Sequence, residues 1–340
     1  MVIKNLIVVG YKCCVLVYIM LLIISCKRDR FQVDVSGIPM EVKANRLEED
    51  LFLTKGENIS FLKYKYGSFF DLYCYQLTET GSPDTILLKS RLLDFTTDAD
   101  MAEIFSVSEK IFQDFTAINE QLTAGFKHYK YHFPKKTIPE VVTFISGFNY
   151  AVVATDSVLG VGLDMYLGSD SKYYPALQYP GYKIARMRKE YLAMDALRGW
   201  VQSEWEQDPA QSDLLSQMIY EGKILYLLVA LMPDEPDSVL TRYTSAQLKW
   251  SEANEKSTWS FFIEQNILFT NDQQLIAKFI IDGPTTNGFP KGSPGAIGQW
   301  VGWKMIESYM KKSPTVTLSQ LMDNNDYKKI FQDSKYKPGK

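Results

Sequence analysis

Ser212-Asp213-Leu214-Leu215-Ser216-Gln217-Met218-Ile219-Tyr220-Glu221-Gly222-Lys223-Ile224-Leu225-Tyr226-Leu227-Leu228-Val229-Ala230-Leu231-Met232 is the stretch whose reading decides the fold. Ser212-Asp213 has the chemistry of a helix start, and Pro209 and Pro233 flank the run where a helix cannot continue. Between them Leu214, Leu215, Met218, Ile219, Leu225, Leu227, Leu228, Val229 and Leu231 leave almost no side of a helical wheel polar, so a helix over 213–232 must be buried all round. Its interior holds one carboxylate, Glu221. A glutamate there needs a charge or hydrogen-bond partner, and tyrosines or Arg186 or Arg188 from the preceding helix are the expected ones.

Around this core helix the sequence reads as helices on both sides of a short β region. Downstream and upstream neighbours are expected at 185–205, 245–250, 258–269 and 296–311, with Pro209, Pro233, Pro236, Pro284, Pro290 and Pro294 in the breaks. A Gly/Pro-rich loop at 282–295 precedes the last of these, whose Gly298 and Gly302 lie four apart on one face and permit close helix packing. Nearer the N-terminus, amphipathic helices are expected at 41–53, 59–66 and 102–126, after a first extended piece at Val33-Asp34-Val35. Between 139 and 167 the period changes: β-branched runs at 139–147, 151–155 and 158–167 are punctuated by Gly147-Phe148-Asn149 and Thr155-Asp156-Ser157, and predict a three-stranded antiparallel meander. Strands in the middle and helices on either side predict an α+β fold, mainly helical with a small antiparallel sheet, and no linker divides it.

Composition narrows the chemistry. The 340 residues carry 37 Lys+Arg against 40 Asp+Glu, a formal charge of −3, so there is no basic excess for nucleic acid. Only two histidines occur, His128 and His132, which leaves few ways to build a zinc hydrolase, an imidazole relay or a serine triad. At the N-terminus Lys4 and Lys12 precede an apolar stretch from Cys13 to Ile24, ending in Ile23-Ile24-Ser25-Cys26 before a polar turn. Residues 1–25 read as a secretory signal peptide and 26–37 as a polar tether. A small residue directly before a cysteine, with branched residues ahead of it, resembles a bacterial lipobox, which makes Cys26 the acylated membrane anchor. The alternative of an uncleaved membrane span over 6–25 is interrupted by Gly10 and Lys12. Without residues 1–25 the charge is 35 − 40 = −5. Cys74 is then the one free thiol, expected as a small buried hydrophobe in an aromatic stretch, with no intrachain disulfide.

Tyr220-Glu221-Gly222-Lys223-Ile224 occupies the register of a His-Glu-x-x-His zinc helix, in which two histidines hold the metal and the glutamate activates water. Tyr220 and Ile224 cannot replace neutral imidazole, so this is a degenerate site: no metal, no cofactor, and no catalytic residue are expected unless Glu221 acts in another way. His128 and His132 have i, i+4 spacing, but Phe133-Pro134 is expected to push His132 into extended geometry and break the shared face. Gly160-x-Gly162 and Gly295-x-x-Gly298 lack the lysine and the setting of a phosphate loop. The 21 Tyr, 19 Phe and 6 Trp are expected mainly in a large core.

Four blocks in order, Val161 to Gly168, Tyr173-Tyr174-Pro175, Tyr220-Glu221-Gly222 and Gly295 to Lys304, together with the lipobox, resemble the gliding-motility lipoprotein GldB family, a relative of gluzincin-type, zincin-like peptidases. The resemblance covers essentially the whole chain. It implies a single zincin-like domain over 38–340 and an envelope lipoprotein required for gliding motility in Bacteroidetes-type bacteria, linked with type IX secretion. It further implies motility or secretion proteins as partners, membrane attachment through the N-terminal lipid, and a position facing the periplasm. Two other readings stay open at this point: a metal-dependent peptidase or hydrolase using Glu221, and an envelope glycan or peptide receptor.

Overall fold

The computed structural model describes residues 31–55, 57–82, 86–210 and 212–339. The signal segment and Cys26 lie outside the described residues. From Val35 onward the chain forms one compact unit. It begins not with a strand at 33–35, which is irregular, but with β1, Asn45–Arg46, leading directly into α1, Leu47–Leu53. The helix expected over 41–53 keeps only its second half because the amides of the first half are spent elsewhere. Val42 N donates to Thr123 Oγ1 at 2.9 Å and Ala44 N to Asn119 Oδ1 at 3.1 Å. Both acceptors lie on α5.

Helix α2, Ile59–Leu72, bends at Gly67 and is followed by a π-turn at Tyr73–Leu77. Cys74 is fully buried there, and burial pushes its thiol up to about 12, as a small core hydrophobe requires. Then come α3, Leu88–Thr97, α4, Ala99–Ile111, and α5, Thr116–His132. The single helix expected over 102–126 is therefore two. The Phe112 and Phe115 rings sit in the break 5.9 Å apart, both buried, so the chain turns to bring them together.

Helices dominate the unit and the sheet is small, so the architecture is α+β and mainly helical, as the sequence predicts. The sheet itself differs from the expected meander. Strands β2, Glu140–Phe144, β3, Val152–Ala154, and β4, Val158–Gly162, join β1 in the order β1-β2-β4-β3; only the β3–β4 pair is antiparallel, whereas β1–β2 and β2–β4 are parallel. The reason is Asp164. Its buried carboxylate accepts hydrogen bonds through Oδ2 from Ser146 N at 3.1 Å and Phe148 N at 2.6 Å. Residues 145–151, read from sequence as a hairpin turn, instead wrap around this carboxylate, with Gly147 and Phe148 both in the left-handed region (φ 73° and 68°). The wrap carries the chain past the place next to β2, which β4 takes. At Gly162 the Tyr150 carbonyl lies where a Cβ would be, so the crossing tolerates no side chain.

Asp164 is wholly buried, and loss of solvation raises its carboxyl from 3.8 to about 6 in spite of the amides from Phe148 and Ser146. The folded chain thus binds this proton more tightly than the unfolded chain does. The stabilisation from the protonated form is complete below pH 3.8 and is lost as pH rises through about 6, a loss on the order of 3 kcal/mol. Asp164→Asn, neutral at every pH, is expected to flatten this segment of the stability profile. Urea unfolding at a series of pH values checks it; an unchanged slope in the variant would contradict the assignment.

The second half of the unit carries α6, Lys189–Glu204, α7, Leu214–Leu231, α8, Ser245–Ala253, α9, Glu255–Glu264, and α10, Gln273–Ile280. It ends in α11, Ile297–Lys312, α12, Leu318–Asp323, and α13, Tyr327–Ser334. Helix α7 is long and apolar enough to cross a membrane, yet nearly all of it is buried among its neighbours. It runs against α11 along most of its length, with backbone against backbone where Gly302 meets Met218 and Gly222.

Candidate functional site

Asp213 opens α7 by accepting from Ser216 N at 2.8 Å. Glu221 then lies two turns in, on the side facing α6 and the start of α11. Its Oε2 accepts from Arg198 Nη2 at 2.6 Å, and both side chains are nearly buried (12% and 7% exposed). Arg198 Nη2 also reaches Gln299 Oε1 at 3.2 Å, and Gln299 Nε2 donates to the Ile280 carbonyl at 2.8 Å. The glutamate is therefore paired as expected, but with Arg198. Arg186 is engaged 2.7 Å from Asp282, and Arg188 has Glu190 as its nearest acid at 3.8 Å. Arg198 sits on the buried face of α6, among Met194, Leu197 and Val201, where an unpaired guanidinium would be prohibitive. An arginine at such a position was the available sequence signal, and it was missed.

The other members of the five-residue motif are occupied too. Ile224 is fully buried, and Tyr220 is nearly so, its hydroxyl held well above the ordinary value by burial and then by Glu221. Lys223 Nζ donates to the Met322 and Asn324 carbonyls at 2.8 and 2.9 Å and lies 5.2 Å from the Tyr327 ring, with burial pushing it down to about 8. It ties α7 to the end of α12. A zinc ion needs neutral imidazole, thiolate or carboxylate donors converging on one point, and Tyr220, Ile224 and an arginine-bound Glu221 do not fit it.

Around Arg198 the charges form a chain. Asp195, one turn earlier on α6, accepts from Arg242 Nε at 3.1 Å and from the Tyr166 hydroxyl at 3.1 Å. Arg242 holds a left-handed backbone (φ 59°) at the end of a one-turn helix, a conformation sustained by this pairing. Tyr166, Asp195 and Arg242, with Arg186 and Asp282, line a cleft of about 210 Å³, and the exposed Lys183 stands at its edge. Each carboxylate in the cleft already faces an arginine, so it offers no free base.

The motif blocks quoted from the sequence meet through these contacts. Tyr174 donates to the Asp164 carbonyl at 3.0 Å and accepts from Leu167 N at 2.7 Å, fixing the segment that follows β4. Tyr166 joins that segment to α6, and Gln299 joins α11 to the Arg198–Glu221 pair. Gly298 and Gly302 do allow close approach: a Cβ on Gly298 would lie 2.8 Å from the Phe279 carbonyl oxygen.

His128 and His132 differ from expectation. Helix α5 continues through His132, and Phe133, the residue directly before Pro134, is the one that leaves the α region (φ −129°, ψ 65°). Burial holds His128 below its ordinary value and His132 down to about 4, while His128 Nδ1 and His132 Nε2 are buried without hydrogen-bond partners. Among the described residues the one group of three candidate metal ligands is elsewhere, at Glu48, Glu49 and Glu109. Arg46 fills it, bonded to Glu48 and lying 3.0 and 3.2 Å from Glu49 and Glu109.

A family model described as gliding motility protein GldB matches residues 28–338. No curated protein and no solved structure matches the chain.

Proposed function

The chain belongs to the gliding motility protein GldB family, and from that premise we propose that it is a lipid-anchored, non-catalytic binding component of the envelope machinery for gliding, linked with type IX secretion. Acylated Cys26 is the anchor, the domain faces the periplasm, and its partners are other motility or secretion proteins. The observation that carries the non-catalytic part is the 2.6 Å pair between Arg198 and Glu221, whose arginine is also held by Gln299. A general base must reach the proton it removes, and here Glu221 Oε2 is held by a buried guanidinium in a side chain that is nearly buried. The zincin-like relationship remains part of this reading: α7 keeps the helix and its glutamate, which is paired with an arginine.

Glu221→Gln tests it. Glutamine keeps an acceptor for Arg198 but not its counter-charge, so the variant is expected to lose some stability and, compared at matched abundance, to support gliding close to wild type. Loss of a general base would instead lower a rate by about 10²–10⁴. An abundant, membrane-anchored Glu221→Gln protein that fails to restore gliding in a strain lacking the protein would overturn the reading in favour of a hydrolase.

A further inference from the structure

Helix α5 forms one wall of a slot of about 330 Å³ whose other wall is the turn that ends α7. Ala117, Glu120, Gln121, Ala124 and His128 line the helix side, a stripe about 16 Å long at the helical rise of about 1.5 Å per residue. Met232, Pro233, Asp234 and Glu235 line the other side. Gln121 Nε2 donates to Glu235 Oε1 at 3.1 Å, and the Glu235 amide donates to the Met232 carbonyl at 3.1 Å, which fixes the turn against the helix. Three acids, Glu120, Asp234 and Glu235, line the slot, and no lysine or arginine does. Basic residues of the same helix pair with none of them: Lys130 Nζ donates to the Lys136 carbonyl at 2.8 Å, and Lys127 makes no ion pair among the described residues. A cleft lined by one sign of charge concentrates the opposite sign.

His128 stands at the C-terminal end of the stripe and is only 7% exposed. Its Nδ1 is sealed in the protein, whereas Nε2 is not sealed and makes no hydrogen bond among the described residues, so Nε2 is the nitrogen that opens on the slot. Burial holds the ring below its ordinary value against the pull of Asp234, so it is uncharged at neutral pH and cancels none of the acidic charge. A polar side chain buried this far, with its open nitrogen unpartnered, is completed by a ligand. The acceptors are set apart: no three ligand atoms of Glu120, His128, Asp234 and Glu235 lie within 4.8 Å of one another, which denies a metal ion the convergence it needs. For the same reason an ammonium, a compact point charge, fits less well than a guanidinium, whose five donors point outward in a plane and reach separated acceptors.

We propose that this slot binds an arginine side chain on an extended segment of a partner protein, the guanidinium among Glu120, Asp234 and His128 Nε2 and the aliphatic stem against Met232 and Pro233. An arginine stem lies on apolar surface while its charged head stays with the carboxylates, and the slot supplies both. The exposed Ala117 and Ala124 leave the helix side open to a backbone, and at about 3.3 Å per residue the stripe matches about five extended residues. The same unopposed acids repel an acidic or phosphorylated segment. The inference rests on the binding role proposed above and names the chemistry of what is bound.

The test is fluorescence anisotropy of a labelled pentapeptide, Ser-Ala-Arg-Ala-Ser, with the full-length protein in detergent, beside counterparts with citrulline or lysine at the centre. Citrulline keeps the shape of arginine and removes its charge. Saturable, salt-sensitive binding of the arginine peptide is expected, with the citrulline peptide at least about tenfold weaker, the size of one charge-assisted hydrogen bond, and the lysine peptide weaker than arginine. Glu120→Gln with Asp234→Asn, both exposed, is expected to lower affinity for the arginine peptide by at least the same factor. Ala124→Trp, also at an exposed position, fills the slot and leaves every charge in place, and should lower it likewise. Citrulline or lysine binding as well as arginine, wild-type affinity in either slot variant, or displacement of the peptide by calcium chloride beyond that by sodium chloride of equal ionic strength would overturn the proposal. Glu221→Gln should leave this affinity unchanged, so failure of gliding in that variant condemns the non-catalytic reading alone, and failure here condemns the slot alone.

Discussion

Gly302→Ala is expected to lower the unfolding free energy by about 3 kcal/mol or more, and the midpoint temperature on the order of 5 °C. Helix propensity argues the other way, since alanine is better than glycine in a helix interior by about 1 kcal/mol. Packing decides. A Cβ on Gly302 would overlap the Met218 carbonyl oxygen and its carbonyl carbon, and a Cβ on Gly222 would overlap the backbone of Gly302 in turn. Backbone cannot move aside as a side-chain tip can, so α7 and α11 must separate along the most extensive helix contact in the domain. Separation loosens Met218, Ile219, Met305 and Ile306, all fully buried. Gly181→Ala is the control: nothing lies within 4 Å of its Cβ position, and the change should be neutral or stabilising by about 0.4–1 kcal/mol. Urea unfolding of both variants reads the contrast, and a wild-type midpoint for Gly302→Ala would mean that the two helices are not held at this distance.

Arg198→Leu is the other change with a large expected effect, about 3–5 kcal/mol of destabilisation, because it strands Glu221 as a nearly buried charge. Glu221→Leu in the same chain should restore most of that loss. Two apolar side chains between α6, α7 and α11 remove the desolvation of both ions together, and a buried pair replaced as a pair is close to neutral. The informative quantity is the coupling from the double-mutant cycle, expected at about 3 kcal/mol or more, since the double variant recovers most of the loss that either single variant suffers. Additive losses would show that Arg198 and Glu221 are stabilised separately, by Gln299, Asp195 and solvent, and not by each other. The cycle also bears on function. If the apolar pair folds, anchors and supports gliding, the glutamate is needed only for the arginine it faces.

The sequence by itself determined α7 within one residue at either end, because a helix apolar on every side can be satisfied only by burial, and Asp213 and Pro233 bound it. It determined that Gly298 and Gly302 serve close packing and that Cys74 is core. These are local facts, carried by side-chain size and donor type at fixed spacing. Tertiary structure decided the rest. The order of the strands turned on one buried carboxylate, Asp164, whose reach back to the amides of residues 146 and 148 leaves no periodicity behind. For Glu221 the sequence pointed to tyrosines, Arg186 or Arg188, and the partner is Arg198 because it is carried on the buried face of α6 opposite α7. Asp195, Arg242 and Asp282 come together from three separate segments. Spacing along a chain fixes which residues share a face of one element. Which faces meet depends on how every element packs at once, and charge networks and clefts exist only at those meetings.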